Sequence, residues 1–268
     1  MHETRIDIAL GLLDLRKKCT VTNTEELLSI LMENPLQKLI DFTSLPDRGA
    51  RKKSFQFREH EVPVSSEKLA QRGEHPSKNG ERILEAKLFN RWCQSSEGQD
   101  VWDNLVAWQI PLFDNRKRDG WGDIDLLGLK AGFPVIVELK GGNNFSCTPL
   151  AALLEALSYA LVIAKHWGEV KKELLARKLP NDLPKEVLPE QVCLVILAPE
   201  DYWKHWQEER GKFAKSVPHF NEFLKKMRDD YCFSVKLCCM DSEKSPTKIK
   251  TRKDMPQAGT DKIGYSSW

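Results

Sequence analysis

No CxxC pair, no GxSxG and no glycine-rich phosphate or dinucleotide fingerprint occurs in this chain of 268 residues. Zinc held by paired cysteines, serine-hydrolase chemistry and P-loop chemistry therefore lack their sequence signatures. Seven cysteines is an odd number and too sparse for a disulfide scaffold, so buried structural thiols in a reducing compartment are expected. None of the six histidines stands in an arrangement that suggests catalysis. Apolar runs fall well short of the roughly 20 residues that cross a bilayer. The opening MHETRIDIALGLLDLRKKC is broken by Glu3, Asp7 and Asp14 and has neither a basic leader nor a small-residue cleavage site. The expectation is a cytoplasmic protein with no membrane partner.

What is present is an ordinary folded composition, with 41% hydrophobic and 30% charged residues and a net charge of +2. That balance does not announce a nucleic-acid binder. Basic clusters at Arg51–Lys53, Arg116–Arg118 and Lys248–Lys253 each read first as solvated surface. Only the middle one lies beside residues of interest.

Residues 22–45 read as helices, with Thr24 or Asn23 as cap and Pro35 as interruption. Residues 46–80 read as a polar connector with one alternating piece, SFQFREHEVPV. From residue 80 the pattern is α/β. A helix over ERILEAKLFNRWC places Leu84, Leu88 and Trp92 on one side, and strand-like VAWQIPLF then leads into DNRKRDGWG. Two strands, DIDLLGL and PVIVELK, are joined by KAGF with its turn glycine Gly132. Thr148 and Pro149 open a helix, PLAALLEALSYALVIAKHW. QVCLVILA is a buried-type strand, NEFLKKMRDD a helix and FSVKLCCM a last strand. The division is 1–79, an N-terminal helical extension and connector; 80–240, a mixed sheet flanked by helices; and 241–268, a polar tail expected to be poorly ordered. Tyr202, Trp203 and Trp206, beside His205, read as core rather than as a stacking platform.

The informative feature is charge inside apolar strands. Side chains alternate faces along a strand, so Glu138 and Lys140 share a face, as do Asp123 and Asp125. If the two strands pair, Asp125 comes beside Glu138. Adjacent carboxylates repel and raise each other's pKa unless a cation neutralises them. A hard ion such as Mg²⁺ favours carboxylate and carbonyl oxygens, and a nearby lysine could orient water or steady charge on a phosphate. The plain alternative is a strand pair whose charged ends simply reach solvent.

Asp125, twelve intervening residues and Glu138-Leu139-Lys140, within the phrases GDIDLLG and VIVELK, resemble the PD-(D/E)XK nuclease superfamily. GERILEAKL resembles the ER-x-L opening of archaeal Holliday-junction resolvases, which makes Glu81 the helix glutamate with Glu85 as its competitor one turn on. Glu155-Ala-Leu-Ser-Tyr159 resembles the Gln-x-x-x-Tyr of relatives of recombination-associated exonucleases, with glutamate in place of glutamine; a core-facing Tyr159 is the alternative. The resemblance spans residues 80–240 and implies a restriction endonuclease-like α/β core of helix, three strands, helix, strand (αβββαβ). It also implies phosphodiester cleavage, most concretely of DNA, dependent on Mg²⁺ or Mn²⁺. Asp125, Glu138 and the Leu139 carbonyl would hold the metal, and Lys140 would position water. Glu81 would complete the catalytic set, with Glu85, Asp123, Glu155 and Tyr159 as supporting positions. Arg116, Lys117 and Arg118 enter the strand bearing Asp125 and are the candidate contacts to a nucleic-acid backbone; Trp121 could stack on a base or pack over the sheet edge. The rival reading is a non-catalytic nucleic-acid-binding or assembly module on the same fold. A homodimer, or a partner protein bound through the N-terminal region, fits either reading.

Overall fold

The computed structural model describes residues 5–20, 22–33, 80–93, 100–111, 123–141, 147–176, 183–207, 214–241 and 248–251. Two N-terminal helices, α1 (Arg5–Lys18) and α2 (Thr24–Glu33), precede α3 (Gly80–Trp92). Three strands follow: β1 (Asn104–Pro111), β2 (Asp123–Lys130) and β3 (Phe133–Leu139). Then come α4 (Pro149–Lys165), α5 (Trp167–Ala176), β4 (Cys193–Pro199), α6 (Glu200–Gln207) and α7 (Val217–Asp229). β5 (Ser234–Met240) and β6 (Ile249–Thr251) complete the sheet.

The six strands lie side by side in chain order. β2 runs antiparallel to both β1 and β3, β3, β4 and β5 run parallel, and β6 returns antiparallel on β5. The switch is forced by the connections. A two-residue turn can only reverse the chain, whereas the long α4–α5 crossover can bring β4 back in the direction of β3.

Alternation explains the two faces. Val135, Val137, Val195 and Leu197 point to the side where α3 brings Leu84, Leu88 and Trp92. Ile136, Leu194 and Ile196 point to the opposite side, into the larger core with α4. Strands buried on both faces read as continuous apolar runs, which is the pattern of QVCLVILA. α4 is buried from Pro149 through Ala164, because sheet and α1 enclose it. Such a helix must be apolar all round, so a polar residue within it requires a reason. Its start is the expected one: the Thr148 hydroxyl accepts the Ala151 N–H at 3.1 Å and Pro149 sits in the first turn.

Leu12 and Leu15 of α1, and Leu27, Leu28 and Leu31 of α2, belong to the same core as α4 and α7. The N-terminal helices therefore pack on their own chain's α/β unit. Tyr202, Trp203 and Trp206 are fully buried, as their spacing indicates. No single helix among the described residues is long and apolar enough to cross a membrane; α4 and α5 reach the length only as a pair bent by 78°.

Two expectations need correction. The polar tail does not begin at residue 241: Ile249–Thr251 pairs with Cys238–Met240, and Ile249 is buried. Three residues are too few to show a period, but the open edge of β5 supplies partners for their backbone groups. Of the cysteines, all free, only Cys19, Cys193 and Cys238 are buried, and Cys232 is exposed in the turn after α7. The strand expected at 54–64, the helical continuation LQKLIDF, the cluster Arg51–Lys53, the basic loop Arg116–Arg118 and Trp121 lie outside the described residues.

Candidate functional site

The β2–β3 hairpin turns on Ala131 and Gly132, with φ of 49° and 82°. Positive φ at both central residues is the type I′ pattern, whose twist matches that of the flanking strands. Asp103 anchors the turn by accepting the Ala131 N–H at 2.6 Å and pairing with Lys130 at 2.9 Å. At Gly128 a Cβ would come within 3.1 Å of the Asn104 carbonyl, so glycine lets β1 approach where its register shifts between Leu105 and Ala107.

This turn sets the register from Lys130↔Phe133 to Leu126↔Val137, where the ladder stops. One step further, Asp125 falls opposite Glu138 on one face. The strands then separate, and the Leu139 N–H donates at 2.7 Å to Asp125 Oδ2 rather than to a backbone carbonyl. On its other side β3 stays on β4, through Lys140 N–H to the Leu197 carbonyl at 2.9 Å. The apolar strands thus deliver Asp125, Glu138 and Lys140 to a place where the sheet begins to open.

Lys140 Nζ lies 2.5 Å from Glu138 Oε1 and 3.9 Å from Glu155 Oε2. Glu155, one of the few polar side chains on α4, also accepts the Tyr159 hydroxyl at 2.8 Å and pairs with Arg16 Nε at 3.0 Å. From α3, Glu81 accepts the Gly141 N–H at 3.0 Å, tying down the chain just past Lys140. Glu85, 3% exposed, takes a hydrogen bond from the Gln109 side chain. Asp123 is half-buried at the start of β2, opposite Pro111.

The electrostatics follow from too many buried acids for the available cations. Asp125 is driven well above the usual carboxylate range by burial first and by Glu85 next, against the pull of Lys140. Glu138 rises well above its ordinary value through burial, then through Asp125 and Glu155. Glu85 is pushed up to about 8, by burial and then by Glu81 and Glu138, with the Gln109 hydrogen bond opposing. Glu155 behaves oppositely. Burial would raise it, but Lys140, Arg16, the Tyr159 hydroxyl and a hydrogen bond shared with the Glu138 carboxyl together hold it below the usual range. Burial alone would lower Lys140; Glu138 and its neighbours raise it well above the ordinary lysine value, so it stays an ammonium. Buried and unpartnered within this group are Glu138 Oε2 and Glu85 Oε2.

Among the described residues no three His, Cys, Asp or Glu side chains are grouped as ligands of one metal ion. Mg²⁺ does not require three, since one or two carboxylates with waters and substrate phosphates are its usual protein donor set. The cluster fits such an ion on two counts: Glu138 has a buried oxygen in need of a partner, and the acids repel one another.

Asp125, Glu138, Lys140, Glu81, Glu85, Glu155 and Tyr159 are thus linked by hydrogen bonds, an ion pair or mutual charge. Two participants were not legible as such. Gln109 had a visible signal, an amide in the middle of the strand VAWQIP, and it adopts φ of 47° opposite Asp125. Arg16 had none, since 139 residues separate it from Glu155. No protein-family model, no curated protein and no solved structure matches this chain.

Proposed function

We propose that this protein is a metal-dependent nuclease of the PD-(D/E)XK type, hydrolysing phosphodiester bonds and acting on DNA. The observation that carries the reading is the hairpin end. Asp125 and Glu138 share a face there, Lys140 stands 2.5 Å from Glu138, and Glu138 Oε2 is buried without a partner. The order α3, β1, β2, β3, α4, β4 supports the restriction endonuclease-like core that the motifs imply.

In this reading Asp125, Glu138 and the Leu139 carbonyl hold Mg²⁺ or Mn²⁺. When bound, the ion would polarise the phosphate and acidify a coordinated water, lowering the cost of forming the attacking nucleophile. Lys140 supplies a fixed ammonium that orients water and offsets charge developing on the phosphate. Glu81 holds the backbone at Gly141, which keeps the Lys140 side chain aimed along the face of Glu138. Arg116, Lys117 and Arg118 hold the substrate backbone by charge. A cytoplasmic setting suits the free thiols.

A second reading, a non-catalytic nucleic-acid-binding module, draws on one observation. Asp125 Oδ2 and Glu138 Oε1 are already occupied by Leu139 N–H and Lys140. Cleavage of single-stranded, duplex and branched DNA, with RNA as control, separates the two. Asp125→Asn keeps an acceptor for the Leu139 N–H and so preserves the strand end, while Lys140→Ala removes the ammonium. Metal-dependent cutting that falls by about a hundredfold or more in both variants is expected. Mg²⁺ at 100 times its Kd should also stabilise the wild type by about 2.7 kcal/mol, an effect Asp125→Asn loses. DNA binding indifferent to metal, with no cutting, would replace the nuclease by the module.

A further inference from the structure

Lys140 faces two buried carboxylates but stands on one of them, 2.5 Å from Glu138 against 3.9 Å from Glu155. An ammonium standing on one carboxylate leaves the other, equally desolvated, in need of donors of its own. Both of its oxygens are in fact taken by other donors. Tyr159 gives its hydroxyl proton to Oε1 at 2.8 Å. Arg16 Nε lies 3.0 Å from Oε2, the same oxygen that faces Lys140.

The arginine is held there by packing. Leu12 and Leu15 of α1 enter the core shared with α4, and one turn on Cys19 Sγ lies 3.3 Å from the hydroxyl of Thr148, the cap of α4. Arg16 is the cation that α1 brings to a site otherwise built by the hairpin, α3 and α4.

We infer that Arg16 is a positioning residue of this site: by occupying Glu155 Oε2 it leaves Lys140 on Glu138, so the N-terminal helix completes the catalytic arrangement. The inference rests on the nuclease reading for its activity readout only. Without Arg16, Glu155 presents an unpaired oxygen to Lys140, and the ammonium is drawn off Glu138. A glutamine at position 155 makes no such demand, because a neutral amide needs no counter-charge.

The test uses the full chain with Arg16→Met, Glu155→Gln and the double variant. Arg16→Met should lose about 10- to 100-fold in metal-dependent cleavage. Adding Glu155→Gln to it should restore activity to within about threefold of the wild type, a non-additivity expected only of coupled groups. Lys17→Met, one residue on, is the control and should leave cleavage unchanged.

The second readout needs no cleavage: the ¹⁵Nζ resonance of Lys140 in lysine-labelled, metal-free protein, assigned with Lys140→Arg. It should move in Arg16→Met and return in the double variant. Additive losses in the double variant, or an unchanged Nζ resonance in Arg16→Met, would overturn the inference. Should Arg16→Met not fold, Arg16→Lys keeps a cation and should retain most activity and the wild-type resonance; loss of both would overturn it too. A wild type that cuts nothing defeats the nuclease reading, and the resonance alone then decides the role of Arg16.

Discussion

Replacing Glu85 with glutamine should stabilise the protein at alkaline pH and leave it nearly unchanged in acid. Glu85 lies on α3 at 3% exposure, and its pKa is raised from 4.5 to about 8. Because that pKa is raised, the folded state keeps a proton that the unfolded chain releases. The group's contribution is therefore fully present below about pH 4.5 and is lost as pH rises through about 8. The interval is about three and a half pH units, each worth about 1.4 kcal/mol, so the stability gap should open by up to about 5 kcal/mol. Glutamine is nearly isosteric and cannot ionise, so the variant should lose this part of the pH dependence. Glu85 also contributes to the raised pKa of Asp125, and relaxing that shift acts in the same direction. Urea denaturation of both proteins at intervals from about pH 4 to about pH 9 gives the two curves. A difference that stays constant within about 0.5 kcal/mol across that range would refute the reasoning, because it would mean that Glu85 is ionised in the fold without cost.

Two smaller perturbations probe the scaffold. Ala131→Gly should stabilise by about 0.5–1 kcal/mol, as relief of a left-handed alanine outweighs the added freedom of glycine in the unfolded chain. Chemical denaturation would detect it, and a loss of stability would mean that the turn is not under strain. Thr148→Ala removes the acceptor for the Ala151 N–H and should cost about 1–2 kcal/mol, while Thr148→Ser should recover most of that. Equal losses in both would point to the threonine methyl rather than to the cap.

The acids at the hairpin end are a cost to the fold that an ordinary strand pair would not carry. A valine at position 138 would fit its strand without a raised pKa or an unpartnered oxygen, and at position 125 only an acceptor for the Leu139 N–H is needed, not a charge. Perturbed groups of this kind gather at functional sites, since chemistry there requires charges that packing alone would exclude. That is the physical ground for treating the cluster as a site rather than as an edge reaching solvent.

Local chemistry by itself determined much of this protein. Alternation placed Glu138 and Lys140 on one face, the KAGF turn set the hairpin, and helical spacing buried Leu84, Leu88 and Trp92. Each rests on neighbours within a few residues, where backbone geometry leaves few choices. What the tertiary structure decided is which distant groups meet. Glu155 could be read from its own helix only as a departure from a motif; Lys140 first and then Arg16, delivered by α1, hold it ionised. Gln109 turns toward Glu85, and Ile249 finds the edge of β5. Such pairings depend on how helices and strands pack, across 139 residues of chain for Arg16 and Glu155, and neither periodicity nor spacing carries that information.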